Sequence, residues 1–289
     1  MSNILFDLSG KIDPQTISAL SVVKKVADSL GINFFVVGAS ARDIVLKYCY
    51  GLETPRVTRD IDLAVEVADW EQFDQLRESL LSTGKFSSTQ VRHRLQFDSI
   101  RVDIIPFGAI TDEKRRLSWP PEHEILMSLV GFQEAFEYSV LVRLCSDPEL
   151  DIKLPTLPGL AIMKLISWRE GYPERERDAE DLLLIMEKYE EAGNFDRLYE
   201  KEQNLLEEEH FDTRHSSIRL LGRDMAIMAD PYTLDTVRMI LDEERGQRSQ
   251  YKLVTDMIRG APGSDTEFDE ILSQLEKLRQ GLVEASAAS

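Results

Sequence analysis

Two aspartates one residue apart inside a strand-like run constrain this chain more than anything else in it. Asp60-Ile61-Asp62-Leu63 lies within Thr58 to Val67, which reads T-R-D-I-D-L-A-V-E-V. Side chains alternate along a strand, so Asp60 and Asp62 share one face while Ile61 and Leu63 pack inward. Carboxylates so placed repel each other unless a cation sits between them. Their hard oxygen atoms suit Mg²⁺, which keeps waters and shares substrate phosphates. Ahead of them Phe34 to Val37 is a continuous apolar run, short enough for a buried strand. It ends on Gly38-Ala39-Ser40, small residues that permit a tight turn and a close approach. A third acid, Asp103, sits in Ile100-Arg101-Val102-Asp103-Ile104-Ile105. A strand there beside the first would bring all three acids together. Such a set could hold two divalent ions about 3.5–4 Å apart, the arrangement used in phosphoryl transfer. The competing reading puts the three acids on the surface of an edge strand, and it needs all three to coincide with the Gly-Ala-Ser turn.

An apolar strand, a Gly-Ser type turn, a helix, Asp-x-Asp and a later lone Asp on a strand resemble the DNA polymerase β-like nucleotidyltransferase superfamily. The match covers roughly the first half of the chain. Val37-Gly38-Ala39-Ser40-Ala41-Arg42-Asp43 is also similar to the Gly-Gly-x-Val-Arg-Asp start of tRNA CCA-adding enzymes, but their Glu-Asp-x-x-Arg base-reading motif is absent. The stretch from Ser40 to Asp60 is longer than usual, with Lys47 to Thr58 reading as an inserted loop.

Composition limits the partners. The formal net charge is -18, and residues 1–155 hold 23 acids against 17 bases, the remainder 29 against 17. Such acidity argues against broad duplex binding, which needs a basic face. Arg92-His93-Arg94 and Lys114-Arg115-Arg116 could still line a local basic groove, although charge runs are more often solvated surface. Cys49 and Cys145 lack metal-binding spacing and read as reduced thiols of a cytoplasmic protein. The four histidines show no H-E-x-x-H or similar pattern, which argues against a zinc site. The N-terminus does not read as a signal peptide, and no apolar run approaches membrane-spanning length.

The remaining elements follow from caps and periodicity. Asp13-Pro14 starts a helix that stops at Gly31, and Asp69 starts another from Trp70 to about Ser82. A helix from Ala41 to about Tyr48, beginning just after Ser40, would point free N–H groups at nucleotide phosphates. Arg42 would assist there or pair with Asp43. Gln90–Phe97 and Ile100–Phe107 read as a hairpin across Asp98-Ser99, and Leu141–Leu144 and Ile152–Leu154 as edge strands. Pro155-Thr156-Leu157-Pro158 marks a boundary, after which everything reads as helix up to an Ala-Ser tail that looks disordered. The expected fold is α+β: a mixed-sheet domain with helices over residues 1–155, then a helical domain over 156–289 that completes the nucleotide and acceptor cleft.

Lys164 stands in the apolar helical run Leu160 to Trp168, either snorkelling or aimed at an anion. Leu157 to Trp168, followed by Arg175-Glu176-Arg177-Asp178-Ala179-Glu180-Asp181-Leu182, resembles the last two motifs of AbiEii/AbiGii-type toxin nucleotidyltransferases. The resemblance implies that Lys164 contacts the triphosphate and that Asp181 completes the pocket, with Asp178 a rival for that acid. Glu180 replaces the family's lysine, so that lysine's role is not carried over. An acid in the first turn of a helix also stabilises it without any ligand.

Together these readings point to an enzyme that moves a nucleoside monophosphate from an NTP, such as ATP, to an acceptor hydroxyl. Asp60, Asp62 and Asp103 would be catalytic and would hold two Mg²⁺ ions, with Mn²⁺ as a substitute. Gly38, Ser40, Arg42, Arg59, Lys164 and Asp181 would bind the nucleotide. The family resemblance implies growth inhibition, a cognate antitoxin, and RNA, the tRNA 3′ end, as acceptor. A protein or small-molecule acceptor, or a nucleotide-binding protein without turnover, are the alternatives.

Overall fold

The computed structural model describes residues 4–55, 58–121, 123, 126–245, 250–259 and 265–288. The chain divides into two compact units, Met1–Thr156 and Leu157–Ser289. The architecture is α+β, with mixed sheets in the first unit and helices throughout the second.

In the first unit, strand β1 (Ile4–Asp7) precedes helix α1 (Pro14–Leu30). Asp13 caps α1 by accepting from the Thr16 N–H, Pro14 opens it, and Gly31 ends it in the left-handed region, so both boundaries were written in the sequence. Strand β2 (Asn33–Val37) runs into a short helix α2 (Gly38–Asp43), which continues as a wider π-helical turn over Ile44–Cys49. The helix expected from Ala41 therefore starts at Gly38, and part of the expected inserted loop is helical. Strand β3 (Ile61–Glu66) and helix α3 (Trp70–Ser82), capped by Asp69, follow. Next come β4 (Phe86–Ser88), β5 (Arg94–Phe97) and β6 (Ile100–Phe107). The expected hairpin is present across Asp98 and Ser99, with a shorter first strand.

Strands β2-β3-β6-β5-β4 form a five-stranded sheet in that order. The central pair β3 and β6 is parallel and its neighbours are antiparallel. One face carries Ile61, Leu63 and Val65 from β3 with Val102 and Ile104 from β6, none more than 3% exposed. Helices α1 and α3 pack on each other and against β2 and β4, contributing Leu20, Val23, Phe73 and Leu76 to the core. Alternation sends the acids of β3 and β6 to the opposite face.

Short strands β7 (Arg116–Ser118) and β8 (Leu126–Ser128) pair, helix α4 (Phe132–Glu137) follows, and β9 (Val140–Ser146) and β10 (Glu149–Leu154) come last. The two strands expected as edges of the main sheet instead form a separate three-stranded sheet with β1. Phe136 of α4 stacks on Phe35 and Phe107, which closes the part of the acid-bearing face beyond the acids.

The second unit consists of α5 (Leu157–Glu170), α6 (Glu176–Lys188), α7 (Phe195–Glu200), α8 (Gln203–Glu208), α9 (Thr213–Met228), α10 (Pro231–Glu243), α11 (Lys252–Ile258) and α12 (Asp265–Ala288). Helix α5 is buried nearly all round, as a central helix must be. Helices α9 and α12 touch backbone to backbone. A Cβ on Gly222 would stand 2.0 Å from the Leu278 carbonyl oxygen, and one on Gly281 would stand 1.8 Å from that of Arg219. The Ala-Ser tail expected to be disordered is the last turn of α12 as far as Ala288, and Ser289 lies outside the described residues. Among the described residues no helix is long and apolar enough to cross a membrane.

Candidate active site

The sheet register brings the predicted acids together. Val37 of β2 lies opposite Asp62 of β3, and Asp62 lies opposite Asp103 of β6. Asp62 and Asp103 are therefore adjacent on one face at the point where β2 turns into α2. That turn shows why glycine is needed: Gly38 has φ +67°, and a Cβ there would sit 2.3 Å from Asp62 Oδ2. The close approach anticipated at Gly-Ala-Ser is made by the Asp62 carboxylate itself. Ser40 is buried in the first turn of α2. Its hydroxyl donates to the Val37 carbonyl at 3.0 Å and accepts from the Asp62 N–H at 3.3 Å, tying the turn to β3.

Asp60 stands just before β3 and meets Arg101, whose Nε donates to Oδ1 at 3.1 Å while Nη2 contacts Oδ2. Asp103 is held by Arg94, opposite it on β5, with Nε on Oδ1 and Nη2 on Oδ2, each at 2.7 Å. The hydrogen bond to Asp103 pushes the Arg94 pKa up, and that to Asp60 does the same for Arg101. Both arginines stay charged.

Sequence reasoning missed these two pairings, although one signal was present. Arg101 is two residues before Asp103 on the same strand face, so the face that carries the acids also carries a cation. Arg94 was noticed only as part of a basic groove. That groove is largely spent on the chain's own acids: Arg92 pairs with Asp74, Arg115 with Glu134 and Arg116 with Asp112. His93 is pulled below the usual imidazole range by burial and stacks on Trp119, with ring centroids 4.9 Å apart.

Arg42 does not stand ready for a phosphate. It is 0% exposed, with Nε and Nη2 donating to Asp43 Oδ1 at 2.9 and 2.5 Å. Asp43 Oδ2 in turn accepts from the Thr58 N–H, and the Thr58 hydroxyl accepts from the Asp60 N–H. Arg42 and Asp43 thus anchor the chain as it enters β3, a structural use of the pair. Arg59 is exposed beside them.

Three carboxylates on one sheet face are the right chemistry for a hard divalent ion. As the side chains stand, however, no group of three or more His, Cys, Asp or Glu among the described residues is arranged to hold a metal. Guanidinium groups occupy the positions where cations would neutralise Asp60 and Asp103. The chemistry of the donors suits Mg²⁺, and the arrangement of their side chains does not.

In the helical unit Lys164 is 7% exposed, so snorkelling to solvent is not available to it. Its Nζ lies 2.7 Å from Asp178 Oδ1 and 2.7 Å from Asp181 Oδ2, and the Ser167 hydroxyl donates to Asp178 Oδ2 at 2.8 Å. Burial pulls the Lys164 pKa down, but the two aspartates outweigh it and the net direction is up. The two rival acids both serve the lysine.

A family model described as "Nucleotidyl transferase AbiEii toxin, Type IV TA system" matches residues 24–274. No curated protein matches the chain. Solved structures similar to it include the antibiotic-resistance factor ANT(2'')-Ia in solution, 13% identical over 69% of this chain and 98% of that one, with a TM-score of 0.36. A nucleotidyltransferase-like protein from Paracoccidioides brasiliensis is 18% identical over 69% and 93%, with a TM-score of 0.40. A CCA-adding enzyme with ATP is 16% identical over 94% and 69%, with a TM-score of 0.33. These structural likenesses are distant.

Proposed function

We propose, on the premise that the chain belongs to the AbiEii nucleotidyltransferase toxin family, that it transfers a nucleoside monophosphate from an NTP to the 3′-terminal hydroxyl of an RNA, with tRNA as the first candidate. The observation that carries this reading is the lateral pairing of Asp62 with Asp103 behind the Gly38 turn. Asp62 and Asp103, with Asp60 beside them, would hold divalent metal, which when bound supplies charge stabilisation to a transferring phosphoryl group. Gly38 lets the backbone come close to Asp62, and the start of α2 offers N–H groups to phosphate oxygens. Arg59, exposed just before Asp60, adds a point charge for the triphosphate. Asp181 and Asp178 hold Lys164 in its charged form. In this reading the protein acts in the cytoplasm, and a cognate antitoxin would block it.

A second reading keeps the chemistry and changes the acceptor. The local basic clusters are neutralised by the chain's own acids, and the net charge is -18. A protein hydroxyl or a small molecule as acceptor needs no basic surface. Incubation with each radiolabelled NTP, Mg²⁺, total cell RNA and total protein separates the two. Label on RNA supports the first reading, label on protein or on small molecules supports the second, and no label on any fraction rejects the transferase assignment.

A further inference from the structure

Strand β3 pairs with β2 from Asp62 to Glu66 and with β6 from Ile61 to Glu66. Those ladders fix Asp62 beside Asp103. Asp60 stands one residue before the first rung, so sheet register does not set where it lies. Its carboxylate meets Arg101, but the two side chains are 37% and 52% exposed, and a surface pair of that kind holds a position only loosely.

A firmer hold on Asp60 comes from α2. The Thr58 hydroxyl accepts from the Asp60 N–H at 3.1 Å, and the Thr58 N–H donates to Asp43 Oδ2 at 3.0 Å. Asp43 is locked in turn by Arg42, the two side chains being 4% and 0% exposed. Three residues before Asp43, the Ser40 hydroxyl accepts from the Asp62 N–H at 3.3 Å. Residues three apart share one face of a helix. One face of α2 therefore reaches the main chain at both aspartates, directly at Asp62 and by way of Thr58 at Asp60. Transfer of a phosphoryl group is sensitive to displacements of about 1 Å in the groups that position it.

We propose that Thr58 is a positioning residue for nucleotidyl transfer, acting through the main chain of Asp60 and braced by Asp43. This rests on the reading that gives Asp60 a part in the chemistry. Thr58 touches no reacting atom; it sets where Asp60 stands relative to Asp62.

The test compares wild type, Thr58→Val and Thr58→Ser in the full chain, each checked by thermal melting. Valine keeps the branched shape and removes the acceptor, and serine keeps the acceptor. Two quantities are read: backbone amide exchange by NMR on isotope-labelled protein, and steady-state transfer from a labelled NTP to the acceptor fraction that wild type labels. The Asp60 amide should exchange about tenfold faster in Thr58→Val, with the Asp62 amide unchanged and Thr58→Ser close to wild type. In Thr58→Val kcat should fall about tenfold or more with KM for the NTP within about threefold, and serine should restore it. Wild-type exchange at Asp60, or wild-type kcat, in folded Thr58→Val would overturn the proposal and leave the transfer reading standing. Equal losses of kcat in the valine and serine variants would overturn it too, because the hydroxyl would then not be what matters. If wild type labels no acceptor fraction, the transfer reading falls and takes the proposal with it.

Discussion

Asp62 and Asp103 are direct lateral neighbours across the parallel pair β3 and β6, and the fork of Arg94 reaches Asp103 from the next strand over. One row of the sheet thus reads carboxylate, carboxylate, guanidinium. The row before it pairs Asp60 with Arg101.

Asp62→Asn removes the central charge of this face while keeping the shape of the side chain. Transfer of label from NTP to acceptor should fall by about a thousandfold, the scale for losing an electrostatic contact to the transition state. The melting temperature should move by less than about 5 °C. A variant that retains wild-type turnover would remove Asp62 from the chemistry.

Gly38→Ala places a Cβ against the Asp62 carboxylate in a left-handed backbone conformation. The left-handed conformation alone costs about 1–2 kcal/mol, and Asp62 must also shift. Urea denaturation should show at least that loss, and activity should fall because Asp62 has moved. Unchanged stability would mean that the turn relaxes freely.

Lys164→Met takes the buried ammonium away from Asp178 and Asp181, and leaves Asp178 the more exposed Arg175 at 3.5 Å. The expected loss of stability is about 3–5 kcal/mol, measurable by chemical denaturation. Replacing both aspartates by asparagine in the same chain should recover most of it, because the burden lies in uncompensated charge. A lysine needed only for phosphate would lower activity and leave stability alone.

How much of this was readable beforehand depended on range along the chain. Asp13-Pro14, Gly31 and Asp69 announce their helix boundaries within a few residues, and the structure follows them. The alternation Asp60-Ile61-Asp62 and the lone Asp103 sufficed to place three acids on one face. Strands β1, β4, β7 and β8 were not expected, because three or four residues carry too little periodicity and are held by their partners. The pairing of Arg94 with Asp103 depends on hairpin register, and that of Arg101 with Asp60 on a crossover between distant strands. Arg42 and Lys164 differ in the same way: the pairing of Arg42 with the adjacent Asp43 is within reach of the sequence, whereas that of Lys164 with Asp178 and Asp181 depends on how two helices pack.

Acid should weaken the helical unit through the cluster around Arg219, which is 4% exposed and contacts Glu208, Glu209 and Glu284. Burial raises the carboxyl pKa values of Glu209 and Glu284, but Arg219 with Lys277 for the first, and Arg219 with Arg223 for the second, outweigh it and the net direction is down. A depressed folded-state value contributes stability above the ordinary glutamate value of 4.5 and loses it as pH falls through the lower, folded one. Denaturation midpoints measured from pH 7 down to pH 3 should therefore decline below about 4.5 in wild type and decline less in Arg219→Met. Parallel profiles would show that other groups control acid unfolding.

The glycine contact between α9 and α12 has a consequence during synthesis. Gly222 and Gly281 admit no side chain between the two backbones, so α9 finds this partner only once Asp265–Ala288 has been made. Until that segment clears the ribosome, the face of α9 that α12 covers has no α12 against it. The helical unit should therefore complete its packing only after α12 has been synthesised, with chaperones free to engage the nascent chain until then.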